Sequence, residues 1–259
     1  MDESDLTEFF YEIFETGLPR LGPGDDASTR KALDTVVTAM GEKRHAPSAP
    51  LDVLDLGCGT GAQTIVLAER LEARILAVDN HGPYLAELRT RAGAAGVGGW
   101  IETREADMRC LDLPDGSFDL IWCEGALFVM GFRNGLERCR ALLKPGGFCA
   151  VTELAWLRHD VPEACREFFA AEYPDMAHTD ANLAAIRDYG YDILDSFSLP
   201  ESAWWDTYYE PLAYRIGEVR EKVSGDLERL ELLDRIQEEI DIYRDFSIFY
   251  GNVFYVMRR

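Results

Sequence analysis

The residues of this chain best suited to chemistry lie in one short stretch, Val53-Leu54-Asp55-Leu56-Gly57-Cys58-Gly59-Thr60-Gly61, where an apolar run ends in D-x-G-x-G-x-G. Such a run predicts a strand that turns tightly into a helix, with glycines that let a ligand come closer to the backbone than a Cβ would permit. Gly57, Gly59 and Ala62 also satisfy the dinucleotide fingerprint G-x-G-x-x-A. Asp79 follows about twenty residues later at the end of the next apolar run, where an acid can bind ribose hydroxyls. On these residues alone an NAD-dependent oxidoreductase stays open. Asp55 argues the other way: beside a pyrophosphate it is repulsive, whereas beside the ammonium end of a methionine moiety it is favourable. Ala106-Asp107-Met108 adds a polar point placed to read an adenine edge.

Two further segments complete the pattern, Leu113-Pro114-Asp115-Gly116-Ser117-Phe118-Asp119-Leu120-Ile121 and, downstream, Leu142-Leu143-Lys144-Pro145-Gly146-Gly147. With them, the stretch from Leu51 to Glu153 resembles the class I S-adenosylmethionine-dependent methyltransferases, especially the branch of ubiquinone and menaquinone biosynthesis. The resemblance implies a Rossmann-like α/β fold: a seven-stranded, mostly parallel sheet with an antiparallel last strand and the cofactor across the carboxyl ends of the first strands. Carried over by position, Gly57, Gly59, Gly61 and Asp55 would hold the methionine portion, Asp79 the ribose, and Asp107 and Met108 the adenine. Asn80 and Glu124 would line the cofactor and acceptor sides. The implied activity is methyl transfer from S-adenosylmethionine to a small-molecule acceptor, leaving S-adenosylhomocysteine. A catalytically idle cofactor-binding or partner-activating protein of the same fold is the non-enzymatic alternative.

Methyl transfer from a sulfonium has a good leaving group from the start, so the protein must mainly align the reactants and exclude water. A hydroxyl or amine acceptor must also lose a proton. Glu124, in Trp122-Cys123-Glu124-Gly125, is the leading candidate for that base, although a carboxylate that only hydrogen-bonds its surroundings reads the same way. Glu153 and His159, after the fifth strand, are weaker candidates.

The elements that must position these groups follow from hydrophobic periodicity. Short apolar runs alternate with helical periods, predicting strands at 53–56, 74–78, 100–105, 118–122 and 148–153 with helices at 62–71, 83–95 and 134–143 between them. Beyond lie helical stretches at 162–173 and 181–189, a sixth strand at 191–197 and a last one at 252–257. The chain then divides into a helical cap (1–45), a cofactor-binding core (51–153) and a helical insertion between the last two strands (199–250), together one domain of 259 residues. Within the cap, Ser28 or Thr29 caps a helix running to Lys43, the stretch 46–50 is a linker, and Phe9, Phe10, Tyr11 and the loop Arg20–Gly24 are placed to fold over the cofactor. In the insertion, Trp204, Trp205, Tyr208 and Tyr209 recur at i, i+4 spacing. They form either an aromatic cover over the acceptor, with Trp204 and Tyr208 binding it, or the core of the inserted layer.

A balance of 26 Lys and Arg against 47 Asp and Glu gives a net charge of -21, which repels a phosphate backbone and argues against nucleic acid as acceptor. Six cysteines without a C-x-x-C pair and four dispersed histidines argue against a metal site and for free thiols in a reducing compartment. No apolar run reaches the length of a membrane span and no leader opens the chain, so a cytoplasmic protein is expected. The acceptor atom and the oligomeric state are not encoded in any of these patterns.

Overall fold

A computed structural model describes residues 3–41 and 50–259. Two helices, α1 (Glu3–Ile13) and α2 (Asp26–Gly41), precede a sheet that begins with β1 (Leu51–Leu56). Then follow α3 (Ala62–Arg70), β2 (Ala73–Asp79), α4 (Gly82–Ala94), β3 (Ile101–Glu105), β4 (Phe118–Cys123), α5 (Phe132–Leu142) and β5 (Leu143–Trp156). The remainder is α6 (Glu163–Glu172), β6 (Ala177–His178), α7 (Thr179–Asp188), β7 (Asp192–Ser198), α8 (Ser202–Trp204), a π-helical turn Trp205–Tyr209, α9 (Glu210–Lys222), α10 (Leu227–Phe246) and β8 (Tyr250–Arg258).

The strand order is β3-β2-β1-β4-β5-β8-β7, parallel from β3 through β5, with β8 antiparallel between β5 and β7. The order reverses at β1, so the loops after β1 and β4 splay apart and leave a crevice at the carboxyl edge. Strands buried on both faces read as continuous apolar runs, and β1, β4 and β8 are buried over nearly their whole length. The core accordingly has two sides. One packs Trp122 and Phe254 against α2, α3 and the insertion helices; the other packs Ile121 and Tyr255 against α5 and α7.

Seven predicted strands are present, and an eighth, the two-residue β6, pairs with the end of β5. β5 is longer than the apolar run 148–153 because it starts at Leu143, ahead of Pro145-Gly146-Gly147. α2 begins at Asp26, before the predicted cap, because the Asp25 carboxylate accepts the Ser28 backbone N–H at 2.6 Å and so takes the capping role. Its predicted end at Lys43 and most of the linker 46–50 lie outside the described residues. The helical insertion predicted over 199–250 is interrupted by the π-turn just before Pro211, whose ring cannot follow a regular α-turn at that point. Among the described residues no helix is long and apolar enough to cross a membrane, and no cluster of His, Cys, Asp and Glu could hold a metal ion.

Candidate functional site

The loop after β1 is sewn to the end of β2, with the Gly57 and Cys58 N–H groups both donating to the Val78 carbonyl at 2.9 and 3.0 Å. Gly57 has φ +68°, and a Cβ there would lie 2.3 Å from that of Ala126, in the loop after β4. Glycine is therefore required both for the turn and for the gap between the two loops. That gap opens into a cavity of about 240 Å³ at the carboxyl edge of the sheet.

Asp79, closing β2, faces this cavity. One carboxylate oxygen accepts the Gly59 N–H at 2.9 Å and the other the His81 N–H at 3.0 Å, so the side chain is held while each oxygen keeps capacity for a ligand. Burial holds its carboxyl above the usual carboxylate range. Asn80, Met108 and Asp107 line the same wall. The Asp107 carboxylate is gripped by Arg109 through the backbone N–H at 2.8 Å and the guanidinium Nη2 at 2.6 Å, which lowers its pKa.

The opposite wall is the N-terminal segment, with Phe10, Tyr11, Phe14 and the loop Arg20–Pro23. Tyr11 stacks on His81 with centroids 3.6 Å apart, and the Tyr84 hydroxyl donates to the Phe14 carbonyl at 2.5 Å, tying α1 to α4. Phe9 points away into the core. Arg20 reaches back to Glu124 at 3.1 Å and to Asp26 at 3.0 Å.

The side chain of Glu124, just past β4, is 5% exposed, and its oxygens accept from Arg20, from Thr29 Oγ1 at 2.7 Å and from Trp122 Nε1 at 2.8 Å. With three donors in place, the carboxylate is a fastener between the β4 loop and the N-terminal segment. Of the two roles the sequence leaves open for Glu124, base or hydrogen-bonded structural carboxylate, these contacts match the second, although Oε2, with one donor, keeps acceptor capacity. The neighbouring spacing held the signal: Glu124, just past β4, is two residues from Trp122 and so emerges on the same face.

Asp55 and Gly61 are likewise relocated. Asp55 is fully buried beneath the loop, accepting from Thr64 Oγ1 at 2.6 Å and Gln63 Nε2 at 3.3 Å, and burial pushes its pKa up to about 7. It faces α3 and not the cavity; Gln63, its partner, is the residue that lines the wall. Gly61 has φ +87° and gives close approach to Leu88 of α4, where a Cβ would sit 2.0 Å from Leu88 Cδ1. Gly59 remains in the lining.

The cavity holds three acids, Asp79, Asp107 and Glu124, and one cation, Arg20, already engaged by two carboxylates. A pyrophosphate would find no free cation here, whereas a sulfonium nucleoside fits the charge, the bare glycine cradle and the apolar wall of Ala106 and Met108.

Comparison with known proteins agrees. A family profile described as a methyltransferase domain matches residues 53–147. The chain is 31% identical over 187 residues to trans-aconitate 2-methyltransferase of Paracidovorax citrulli, covering 69% of this chain and 68% of that one. The chain belongs to the class I S-adenosylmethionine-dependent methyltransferases. The quinone-biosynthesis branch is represented by demethylmenaquinone methyltransferase of Thermus thermophilus, 37% identical over 112 residues, or 40% of this chain and 48% of that one. Among solved structures, an S-adenosylmethionine-dependent methyltransferase of Geobacter sulfurreducens in complex with S-adenosylhomocysteine has a TM-score of 0.77 at 20% identity, over 97% of this chain and 98% of that one. That last likeness is one of fold.

In this methyltransferase the aromatic residues of the insertion do not reach the cavity. Trp204 is 3% exposed and stacks on Tyr243 at 4.2 Å, and Tyr208 is buried in the same cluster, so both are core and the expected acceptor contacts are corrected. The insertion braces the N-terminal loop from behind: Gly24 N–H donates to the Ala203 carbonyl at 2.9 Å, and Thr207 Oγ1 donates to the Gly24 carbonyl at 2.6 Å. His159 is exposed on the loop after β5, stacked on His178.

Proposed function

We propose that this methyltransferase binds S-adenosylmethionine between the Gly57 loop and the N-terminal segment and methylates a small acceptor, neutral or cationic, that enters past Phe128 and Val129. The observation that supports this reading is the charge of the cavity, acidic with its single arginine engaged. Asp79 holds the ribose hydroxyls, Asn80 and Met108 flank the adenine with Asp107 at its edge, and Gly57 and Gly59 cradle the methionine portion. When bound, the cofactor supplies an activated methyl group on a good leaving group. The protein's part is alignment and exclusion of water by Phe10, Tyr11, Phe14 and Leu21. Glu124 holds that cover closed, and the chain works as one unit in which the insertion supports the cap. Phe128 and Val129, 53% and 43% exposed, give the mouth an apolar rim suited to an acceptor with an apolar body.

Calorimetry with S-adenosylhomocysteine, S-adenosylmethionine and NAD tests the cofactor. Binding of the first two without the third is expected, and the reverse overturns the reading. Transfer of radiolabelled methyl into a panel of amines, phenols and polycarboxylates tests the acceptor. Preferential labelling of polycarboxylates would overturn the acceptor class.

A further inference from the structure

Glu124 already carries three donors, one of them a guanidinium, so a less engaged carboxylate is the better place for the proton of a proton-bearing acceptor. Glu153, near the end of β5, is a buried carboxylate, 4% exposed, whose one hydrogen-bond partner among the described residues is the Tyr173 hydroxyl. Asp55 has two side-chain donors and Glu124 three, as expected of structural carboxylates. Glu153 therefore has acceptor capacity that the fold does not use.

Glu153 and Tyr173 do not line the cavity, but Tyr173 and Thr152, the residue before Glu153, touch residues that do. The neighbouring Thr152 Oγ1 accepts the N–H of Gly125, a residue of the cavity wall, at 2.7 Å. The turn Leu127–Met130, which carries Phe128 and Val129 to the mouth, packs on β5. The Tyr173 ring, just beyond α6, meets Phe128 edge to face at 6.2 Å. A path thus runs from the rim through the Tyr173 phenol to a buried carboxylate.

We propose that the Glu153–Tyr173 pair is the proton sink on the acceptor side of the cavity, Glu153 acting through the Tyr173 hydroxyl to take the proton that a hydroxyl or amine acceptor loses on methylation. The inference rests on the methyl-transfer reading of the cavity. As the acceptor–methyl bond forms, the acceptor's bond to hydrogen breaks and its electron pair stays on the acceptor atom. That proton passes to Tyr173 Oη while the phenol's own proton moves to Glu153; the pair of electrons from the methyl–sulfur bond remains on sulfur. The titratable groups facing Glu153 are Tyr173, Tyr255 of β8 and Cys123 of β4, none of them cationic. Burial raises the Glu153 pKa to about 7, and the Tyr173 hydrogen bond opposes that rise. A second pair, Tyr209 with Glu239, has the same chemistry inside the insertion, away from the cavity, and serves as a control.

The test uses the full chain and the variants Glu153→Gln, Tyr173→Phe and Glu239→Gln. In infrared spectra of ligand-free protein, protonated carboxyl absorption should grow as pH falls through about 7, where Asp55 and Glu153 both titrate; the Glu153 component should be missing from Glu153→Gln, leaving that of Asp55, and remain in Glu239→Gln. Methyl transfer from radiolabelled S-adenosylmethionine to the amine and phenol panel should show an acidic limb at the same pH. Glu153→Gln should lose that limb and about a hundredfold in rate, the usual size of a general-base contribution. Tyr173→Phe keeps the ring against Phe128 but removes the relay hydroxyl, so it should lose rate to a similar extent as Glu153→Gln; because it also removes a hydrogen bond that favours the ionised carboxylate, the limb of the residual rate should move to higher pH. Affinity for S-adenosylhomocysteine should be unchanged in all three variants. Carboxyl absorption that is the same in Glu153→Gln as in the unaltered protein, or a Glu153→Gln rate profile superimposable on that of the unaltered protein, overturns the proposal. Failure of the unaltered protein to bind S-adenosylhomocysteine overturns the cavity reading instead, a result the infrared titration does not share.

Discussion

Asp79 meets its surroundings with one backbone N–H on each oxygen, whereas Asp107 is clamped by the guanidinium and backbone of Arg109 on the outer rim. The first arrangement orients a carboxylate toward a ligand; the second competes with one. Asp79→Ala should therefore weaken S-adenosylhomocysteine binding by about 1.5–3 kcal/mol, ten- to a hundredfold in Kd, with the fold retained. Asp107→Ala should cost much less by the same calorimetry, and an equal or larger loss would reverse the two assignments. The places of both in the cavity wall were legible, Asp79 from closing a strand and Asp107 from following one. Asp55 was not, because its distance from the glycines says nothing of which way β1 turns it. Thr64, nine residues on, supplies the donor that draws it under α3. Glu124 was found by position, but the sequence could not choose between base and structural acceptor, since two of its three partners, Arg20 and Thr29, lie about a hundred residues earlier in the chain.

At the scale of elements, the cover over the cavity is the N-terminal segment, and the insertion is its support. Periodicity locates both as helical but cannot say which one touches the ligand, because aromatic i, i+4 pairs look alike in a core and in a lid. The i, i+4 register of Trp204 with Tyr208 is also altered by the π-turn that Pro211 imposes. Trp204→Ala leaves a void against Tyr243 and should lower stability by about 3–5 kcal/mol, read as a fall in Tm. A lid residue would instead change acceptor turnover with Tm intact. Arg20→Ala addresses the fastener: it leaves Glu124 buried with two neutral donors, which the segment can relieve by swinging out. Faster hydrogen exchange across α1 and the following loop, with weaker S-adenosylhomocysteine binding, is the expected outcome. Unchanged exchange there would mean that the Tyr11–His81 stack and the Thr207 anchor hold the cover without the ion pair.

At the scale of the molecule, charge sets the pH dependence. Asp55 and Glu153 are raised to about 7, and Asp79 and Glu239 are raised as well, in each case chiefly by burial. A carboxyl group with a raised folded-state pKa binds its proton more tightly folded than unfolded. Its contribution is thus full below the unfolded value of about 4 and is lost as pH climbs toward 7. The exposed acids with lowered values, Asp107 and Asp160, act in the opposite sense but are screened by solvent. The net charge of -21 at pH 7 adds self-repulsion that also grows as the acids ionise. Stability should therefore fall as pH rises from about 5 to 7, and the two causes can be separated by salt. At 0.1 M the screening length is about 10 Å, enough to damp repulsion across the surface but not the desolvation of a buried carboxylate. Tm measured across this range at low and high salt should show a decline that salt reduces without abolishing, and Glu153→Gln should flatten the part that survives. A Tm that rises with pH under both conditions would mean that the buried carboxylates are stabilised in their ionised form, contrary to the environments described for Asp55 and Glu153.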